Sequence, residues 1–386
     1  MTGDSLTRFA AGKLASLETR KLRRTLIETN RKPGAHALRG SRAVISFACN
    51  DYLGLSQHPD VIEASCRATR DLGAGAGASR HVTGNHSLYA ALEQRLADLK
   101  GTEDAVVFGS GYLANLGVIP ALVGPEDLIV MDEHCHSCLF AGATLAKSHV
   151  IRFAHNDAEQ AEALLAEHRG KYRHCLVLTE GVFSMDGDRA PLPALVASAQ
   201  RYDAWLMNDD AHGLGVVGDG RGSGFVDGVQ IDVPLQMGTL SKAVGTYGGY
   251  VCTSRAVADL LRNRVRSLIY TTGLPPGTVA AATQALEIIA NDQELVAKPL
   301  ANAALFATAM QLPAPQSAII PIVLETPERA MRASAALEEL GFLVVAIRPP
   351  TVPEGTARLR VTFSAAHSTE DIEGLVAAMS AVLAES

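Results

Sequence analysis

Long runs of lysine or arginine are missing, the densest being Arg20-Lys21-Leu22-Arg23-Arg24, and the charge balance is acidic: 34 Lys and Arg against 41 Asp and Glu, a net charge of −7. Gripping nucleic acid or an anionic lipid surface by bulk electrostatics is excluded on that ground. Cysteine is sparse. Six residues in 386 (Cys49, Cys66, Cys135, Cys138, Cys175 and Cys252) do not make a disulfide framework in so long a chain. A long apolar run is also missing. The longest uncharged stretch, residues 105–125, holds four glycines, two prolines, Ser110 and Asn115, where a membrane-spanning helix would be far more apolar and less broken. Met1 to Arg24 is polar and mixed in charge, without the apolar core of a secretion signal. These absences predict a soluble cytoplasmic protein with neither nucleic acid nor membrane as partner.

What is present is globular in character: 47% hydrophobic and 19% charged residues, with 34 Gly and 17 Pro. That is enough apolar matter for a sizeable core and rules out general disorder. Leu14, Leu17, Leu22 and Leu26 among Arg and Lys predict an amphipathic lead-in helix over residues 14–30, within an N-terminal helical segment, 1–43. A strand at 44–48 opens a large α/β domain, 44–290. Helical patterns near 58–71, 86–100, 111–122, 138–147, 157–168 and 192–202 alternate there with apolar runs at 105–108, 128–131, 150–153, 175–178 and 205–207. Two more strands are expected near 233–237 and 249–253. Near-continuous apolar strands separated by helices predict a mostly parallel sheet covered on both faces. After about 290 the order changes to helix (294–311), strand (318–324), helix (327–340), strands (342–347 and 357–363) and helix (368–384). This βαββα order predicts a smaller α+β domain over 291–386.

Five segments carry chemistry. Met237-Gly238-Thr239-Leu240-Ser241-Lys242-Ala243-Val244-Gly245 sets a lysine among hydroxyl residues and glycines just after a strand. Such a lysine can present its amine to a carbonyl compound, with burial supplying the free base that Schiff-base chemistry needs. Read alone, it fits a surface or phosphate-binding lysine as well. Trp205-Leu206-Met207-Asn208-Asp209-Asp210-Ala211-His212-Gly213 is an apolar strand ending in acids and a histidine, at the strand end where open α/β sheets bind ligands. A carboxylate there can keep a pyridine nitrogen protonated; a capped turn or an Asp/His metal pair would read the same. At Gly109-Ser110-Gly111-Tyr112-Leu113-Ala114-Asn115 a helix begins whose backbone N–H groups could hold a phosphate, with a plain glycine turn as the alternative.

Asp132-Glu133-His134-Cys135-His136-Ser137-Cys138 invites a zinc hypothesis, but no second Cys/His pair stands at a characteristic spacing, and no metal is assigned. A histidine stacked on a cofactor ring is the competing use. Gly73-Ala74-Gly75-Ala76-Gly77-Ala78-Ser79-Arg80 has the glycine density of a dinucleotide fingerprint, yet it follows a helix and no acidic residue closes a second strand at the right distance. A mobile loop at an active-site mouth is the better expectation.

In their order and spacing, these stretches together resemble the α-oxoamine synthases, pyridoxal-phosphate (PLP) enzymes that condense an amino acid with an acyl thioester. The resemblance runs from Asn50-Asp51-Tyr52-Leu53-Gly54 to Ala365-Ala366-His367 and is especially close at Thr179-Glu180-Gly181-Val182-Phe183-Ser184-Met185-Asp186-Gly187-Asp188. It implies a PLP-dependent transferase of fold type I, a homodimer with sites at the subunit interface. By motif match Lys242 would form the Schiff base with the cofactor and later move the α-proton. Asp209 would pair with the ring nitrogen, His212 and Ser184 would sit near the phenolic oxygen, and His136 would stack on the ring. Thr239 and the backbone of Gly111 and Tyr112 would take the phosphate. For substrate, the resemblance implies Asn50 and Arg360 near the amino-acid carboxylate, Thr351 at a substrate contact with Arg348 just before it, and Arg23 toward the far carboxylate of the acyl chain; Arg23 fits a solvated helix face equally well.

The segment Ile347-Arg348-Pro349-Pro350-Thr351-Val352-Pro353 points toward the member of the family that joins L-alanine to a pimeloyl thioester, on coenzyme A or acyl carrier protein. Members using glycine or serine are the nearest alternatives, and a zinc enzyme or a non-catalytic binding module the distant ones. One departure stands out: the family usually has Asn-His-Ala-Ser where this chain has Cys135-His136-Ser137-Cys138.

Overall fold

The computed structural model describes residues 4–20 and 22–384. The lead-in helix α1 covers Ser5–Thr19, opened by Asp4, whose carboxylate accepts from the Thr7 N–H at 2.8 Å. The expectation of a helix over 14–30 is therefore corrected; Lys21 within it lies outside the described residues. None of α1's residues is buried, so capping and local propensity sustain it, and β-branched Thr25, Ile27 and Thr29 do not favour its continuation. The rest of the segment forms an antiparallel meander instead: β1 (Thr29–Arg31), β2 (His36–Arg39) and β3 (Arg42–Ser46).

Helices α2 (Pro59–Leu72) and α3 (Leu88–Lys100) then lead into the central sheet. Its strands and intervening helices are β4 (Asp104–Phe108), α4 (Gly111–Leu122), β5 (Leu128–Asp132), α5 (Ser137–Ala146), β6 (His149–Phe153), α6 (Ala158–His168), β7 (Cys175–Glu180), α7 (Leu192–Arg201) and β8 (Trp205–Asp209). A small ribbon, β9 (Phe225–Val226) and β10 (Val229–Gln230), precedes β11 (Leu235–Thr239) and β12 (Gly249–Thr253). The spatial order is β4-β12-β11-β8-β7-β5-β6. Only β12 runs against the others. Strands β5 and β7 are buried at every position, and alternate residues enter opposite cores. Ile129 and Met131 pack with Ala114 and Val118 of α4, whereas Leu128 and Val130 pack with Leu165 and Leu195. Both faces are covered, which explains the near-continuous apolar strands.

Two short helices, α8 (Arg255–Arg264) and α9 (Arg266–Ile269), and the longer α10 (Pro276–Asn291) follow. No helix was expected over these residues. No residue of α10 from Pro276 to Ala290 is exposed, and its half-buried positions include apolar Ala280 and Ile288, so the contrast that marks an amphipathic stripe is weak. The chain continues through α11 (Gln293–Ala309), β13 (Ile319–Glu325), α12 (Pro327–Glu339), β14 (Phe342–Leu343), β15 (Val345–Ile347), β16 (Ala357–Thr362) and α13 (Thr369–Ala384). An antiparallel sheet β13-β16-β15 forms the small unit, while β14 leaves it to pair in parallel with β3. Phe47 sits in this unit's core with Phe306, Phe363 and Leu375, so the N-terminal strands belong with the C-terminal unit. The glycine-rich stretch after α2 is tied down at its end, where Arg80 grips both Glu93 oxygens (2.6 and 3.1 Å) and lies over the Tyr89 ring. The described residues contain no helix long and apolar enough to cross a membrane.

Candidate active site

The chemistry-bearing segments all follow the carboxyl ends of parallel strands: Ser110 and Gly111 after β4, His136 after β5, Ser184 after β7, His212 after β8 and Lys242 after β11. The small unit reaches them through Arg358 and Arg360 on β16.

At the centre, the Lys242 amine lies 2.7 Å from His212 Nε2, and His212 Nδ1 lies 2.6 Å from the Tyr52 hydroxyl. Burial lowers Lys242 to about 8, against the opposing pull of Asp209 and Glu180. Burial, followed by the charges of Lys242 and Arg360, holds His212 well below the usual imidazole range. A neutral imidazole then accepts from Lys242 at Nε2 and donates from Nδ1 to Tyr52. Tyr52 in turn donates to Asn50 Oδ1 at 3.3 Å. Arg360 closes the group: its Nη1 donates to Asn50 Oδ1 at 3.1 Å and its Nε to the Ser184 carbonyl.

A second cluster surrounds Asp209. This buried carboxylate accepts from the Asn115 amide at 2.7 Å and from the Ala211 N–H at 3.0 Å. The same Asn115 nitrogen donates to Cys138 Sγ at 3.1 Å, and Cys138 Sγ lies 2.8 Å from His136 Nδ1. Burial, then the nearby Asp209 charge, pushes the Cys138 thiol up to about 12, so it stays protonated. The thiol thus links Asn115 and His136. Beside Asp209, Asp210 forms a fully buried ion pair with Lys100 at 2.6 Å, and the Ser223 hydroxyl donates to its other oxygen.

The third element is a cradle. Ser110 caps α4, its hydroxyl accepting from the Leu113 N–H at 3.2 Å. A Cβ on Gly111 would meet Met237 Cε at 3.1 Å and Thr239 Cβ at 3.3 Å, and one on Gly249 would come within 2.5 Å of the Gly111 nitrogen. Thr239 is held by Ser241 (2.7 Å) and the Gly248 carbonyl (2.8 Å). Hydroxyls and exposed N–H groups at a helix N-terminus suit a phosphate. Together with a lysine near its free base and a buried acid, this donor set fits pyridoxal 5′-phosphate.

Lys242, His212, Asn50, Arg360 and Ser184 therefore join one hydrogen-bonded network, Asp209 and His136 a second, and Gly111 and Thr239 face each other. Tyr112 next to them is half exposed. Arg23, Arg348 and Thr351 share none of these contacts. Arg23 and Arg348 line two adjoining cavities of about 730 and 670 Å³ between the end of α1 and the β15–β16 connection, and Thr351 lines the second. Tyr52, Asn115 and Glu180 are site residues that the sequence reading did not single out. The segment His134–Cys138 does not converge on a common point: His134 stacks on His155, and Cys135 Sγ points to the Leu178 carbonyl.

Residues 42–379 match the model of the aminotransferase class I and II family, and the chain belongs to that family of PLP-dependent enzymes. Within it the chain is an α-oxoamine synthase, an acyltransferase that uses pyridoxal 5′-phosphate. It is 57% identical to the 8-amino-7-oxononanoate synthase of Granulibacter bethesdensis, over 95% of each chain. It is also 57% identical to an enzyme of that name from Methylorubrum extorquens, over 99% of this chain and 97% of the relative. Among solved structures it resembles Sphingomonas wittichii serine palmitoyltransferase, with 32% identity, a TM-score of 0.92 and 99% of both chains covered.

Proposed function

We propose that the chain condenses L-alanine with a pimeloyl thioester, borne by coenzyme A or acyl carrier protein, to give 8-amino-7-oxononanoate, carbon dioxide and the free thiol in biotin biosynthesis. The observation that carries the reading is Arg360. Its guanidinium is buried and forms no ion pair with a carboxylate among the described residues, whereas its neighbour Arg358 is paired with Asp186. A buried cation without a counter-ion calls for an anion, and the carboxylate of an amino acid bound beside Lys242 supplies one. The name that relatives such as the Granulibacter and Methylorubrum enzymes carry supports alanine and a pimeloyl group.

Bound pyridoxal phosphate supplies the electron sink that makes the alanine Cα nucleophilic. Lys242 would carry the cofactor and take the proton from Cα; an amine near 8 exchanges protons readily at neutral pH. Asp209 would hold the ring nitrogen's proton and His136 would lie against the ring. The Gly111–Tyr112 backbone and Thr239 would hold the phosphate, with His212 and Ser184 toward the phenolic oxygen. Arg360 and Asn50 orient the amino-acid carboxylate. Cα then bonds to the thioester carbonyl carbon, the thiol leaves, the carboxylate departs as carbon dioxide, and Cα regains a proton.

Arg23, Arg348 and Thr351 receive the far end of the acyl chain in their groove. Val345, which lines the groove, pairs in register with Arg360 of the site. A second copy of the chain covers the apolar side chains left exposed on α1 (Leu6, Phe9, Leu14) and at Val82 and Tyr270. Six free cysteines suit a reducing cytoplasm.

The test is turnover of holoenzyme with carboxyl-labelled L-alanine, glycine or L-serine against pimeloyl-CoA, pimeloyl-ACP and palmitoyl-CoA, reading labelled carbon dioxide and product mass. Alanine with a pimeloyl thioester is expected to dominate. Productive reaction only with serine and a long acyl chain, as the serine palmitoyltransferase neighbours would suggest, overturns the substrate assignment.

A further inference from the structure

Glu180 is a carboxyl group in the site for which the reaction above has no use. It ends β7 and pairs in register with Asp209 on β8. The two side chains are 3% and 4% exposed, so both acids are withdrawn from water side by side. Their partners differ. Asp209 accepts two hydrogen bonds, from Asn115 and Ala211. Glu180 forms no ion pair among the described residues, and its Oε1 has no hydrogen-bond partner. Asp209 thus accepts on both oxygens, whereas Glu180 has one oxygen left unbonded; two neighbouring buried carboxyls resist ionising together, and the one with an unbonded oxygen is the readier to hold a proton. We propose that Glu180 is a positioning residue that carries a proton beside Asp209, while its Oε1 remains available to whatever fills the site.

The electrostatics point the same way. Burial and then Asp209 push Glu180 well above the usual carboxylate range, against the pull of Lys242 and the His136 and Ser184 amides. Cys135 and Cys138, which also feel its charge, have pKa values raised by burial and stay neutral, and His136 is lowered by burial. Lys242 is the one nearby cation that would favour an ionised Glu180, and Arg360 in turn opposes the charge on that lysine. The proposal rests on the cofactor-site reading and is independent of the choice of substrates.

Glu180→Gln is the discriminating variant, because an amide replaces a neutral acid faithfully and an anion badly. The readouts are the dissociation constant for pyridoxal phosphate and the pH midpoint of the visible band of the lysine-linked cofactor. If Glu180 is neutral, Glu180→Gln keeps the affinity within about threefold and moves the midpoint by less than about 0.3. A midpoint lowered by about one pH unit or more, or affinity lost about tenfold, would show that the carboxylate charge is used and overturn the proposal. Should the variant not fold, the wild-type apoprotein labelled at glutamate carboxyl carbon decides the matter by NMR. One buried carboxyl still protonated at pH 7 supports the proposal, and none overturns it. Failure of the wild type to bind pyridoxal phosphate would instead remove the cofactor-site reading itself.

Discussion

The Lys242 amine is hydrogen-bonded to His212 Nε2 at 2.7 Å, and burial brings that amine down to about 8. An unfolded lysine keeps its proton up to its ordinary value near 10.5, so between about pH 8 and 10.5 the unfolded chain binds more protons than the folded one. Folding stability contributed by this group therefore rises with pH across that window and is lowest below pH 8. Replacing Lys242 with Met is expected to stabilise the apoprotein at pH 7 by about 1–3 kcal/mol, with the gain shrinking toward pH 10.5. Urea titrations at pH 7, 9 and 10.5 check both sign and trend.

Tyr52→Phe removes the acceptor for His212 Nδ1. The imidazole then loses the bond that fixes which nitrogen faces Lys242, at an expected cost of about 1–3 kcal/mol for a buried unpaired donor. Steady-state kinetics should show kcat falling about tenfold with the alanine KM changed less. Unchanged kcat would mean that the Tyr52–His212 bond has no part in holding the lysine.

Gly111→Ala places a methyl group against Met237 and Thr239 at the mouth of α4. The contacts are tight but not prohibitive, so the fold should survive while the space for a phosphate contracts. Pyridoxal-phosphate affinity is expected to fall by about tenfold or more, with the melting temperature of the apoprotein nearly unchanged. Fluorescence titration and calorimetry on the same sample separate the two effects.

Lys100 and Asp210 form a fully buried pair one residue from Asp209. Lys100→Met alone strands a carboxylate in the core and should cost about 3–5 kcal/mol. The double variant Lys100→Met with Asp210→Leu should recover much of that loss in stability. Additive losses in a denaturant cycle would argue against direct coupling.

Arg23→Gln and Arg348→Gln test the acyl groove. Each is expected to raise the KM for the pimeloyl thioester about tenfold while leaving kcat and the alanine KM unchanged, the signature of lost uniform binding. A smaller effect with a monocarboxylic acyl thioester of equal length would tie the interaction to the far carboxylate.

Much of the architecture was legible in the sequence because its signals are local. Apolar runs such as Leu128–Met131 and Cys175–Leu178 must be strands buried on both faces, and their alternation with amphipathic helices implies the parallel sheet. Lys242, Asp209 and His212 were legible for a related reason: each follows a recognisable strand end. α10 was hidden because apolar residues such as Ala280 and Ile288 on its half-buried side weaken the contrast between its faces. The lead-in helix was misplaced because leucine spacing continues past Thr19 where the helix does not.

The order of strands and helices, and the places of Lys242, Asp209 and His212 at or just after strand ends, follow from spacing along the chain. The company they keep does not. Arg360 reaches Asn50 across 310 residues, and Lys100 reaches Asp210 across 110. Whether a buried carboxyl is charged or, as Glu180 is proposed to be, neutral depends on the donors around it and the water excluded from it. Those are set when β7 and β8 come into register, and a one-dimensional pattern holds no measure of either.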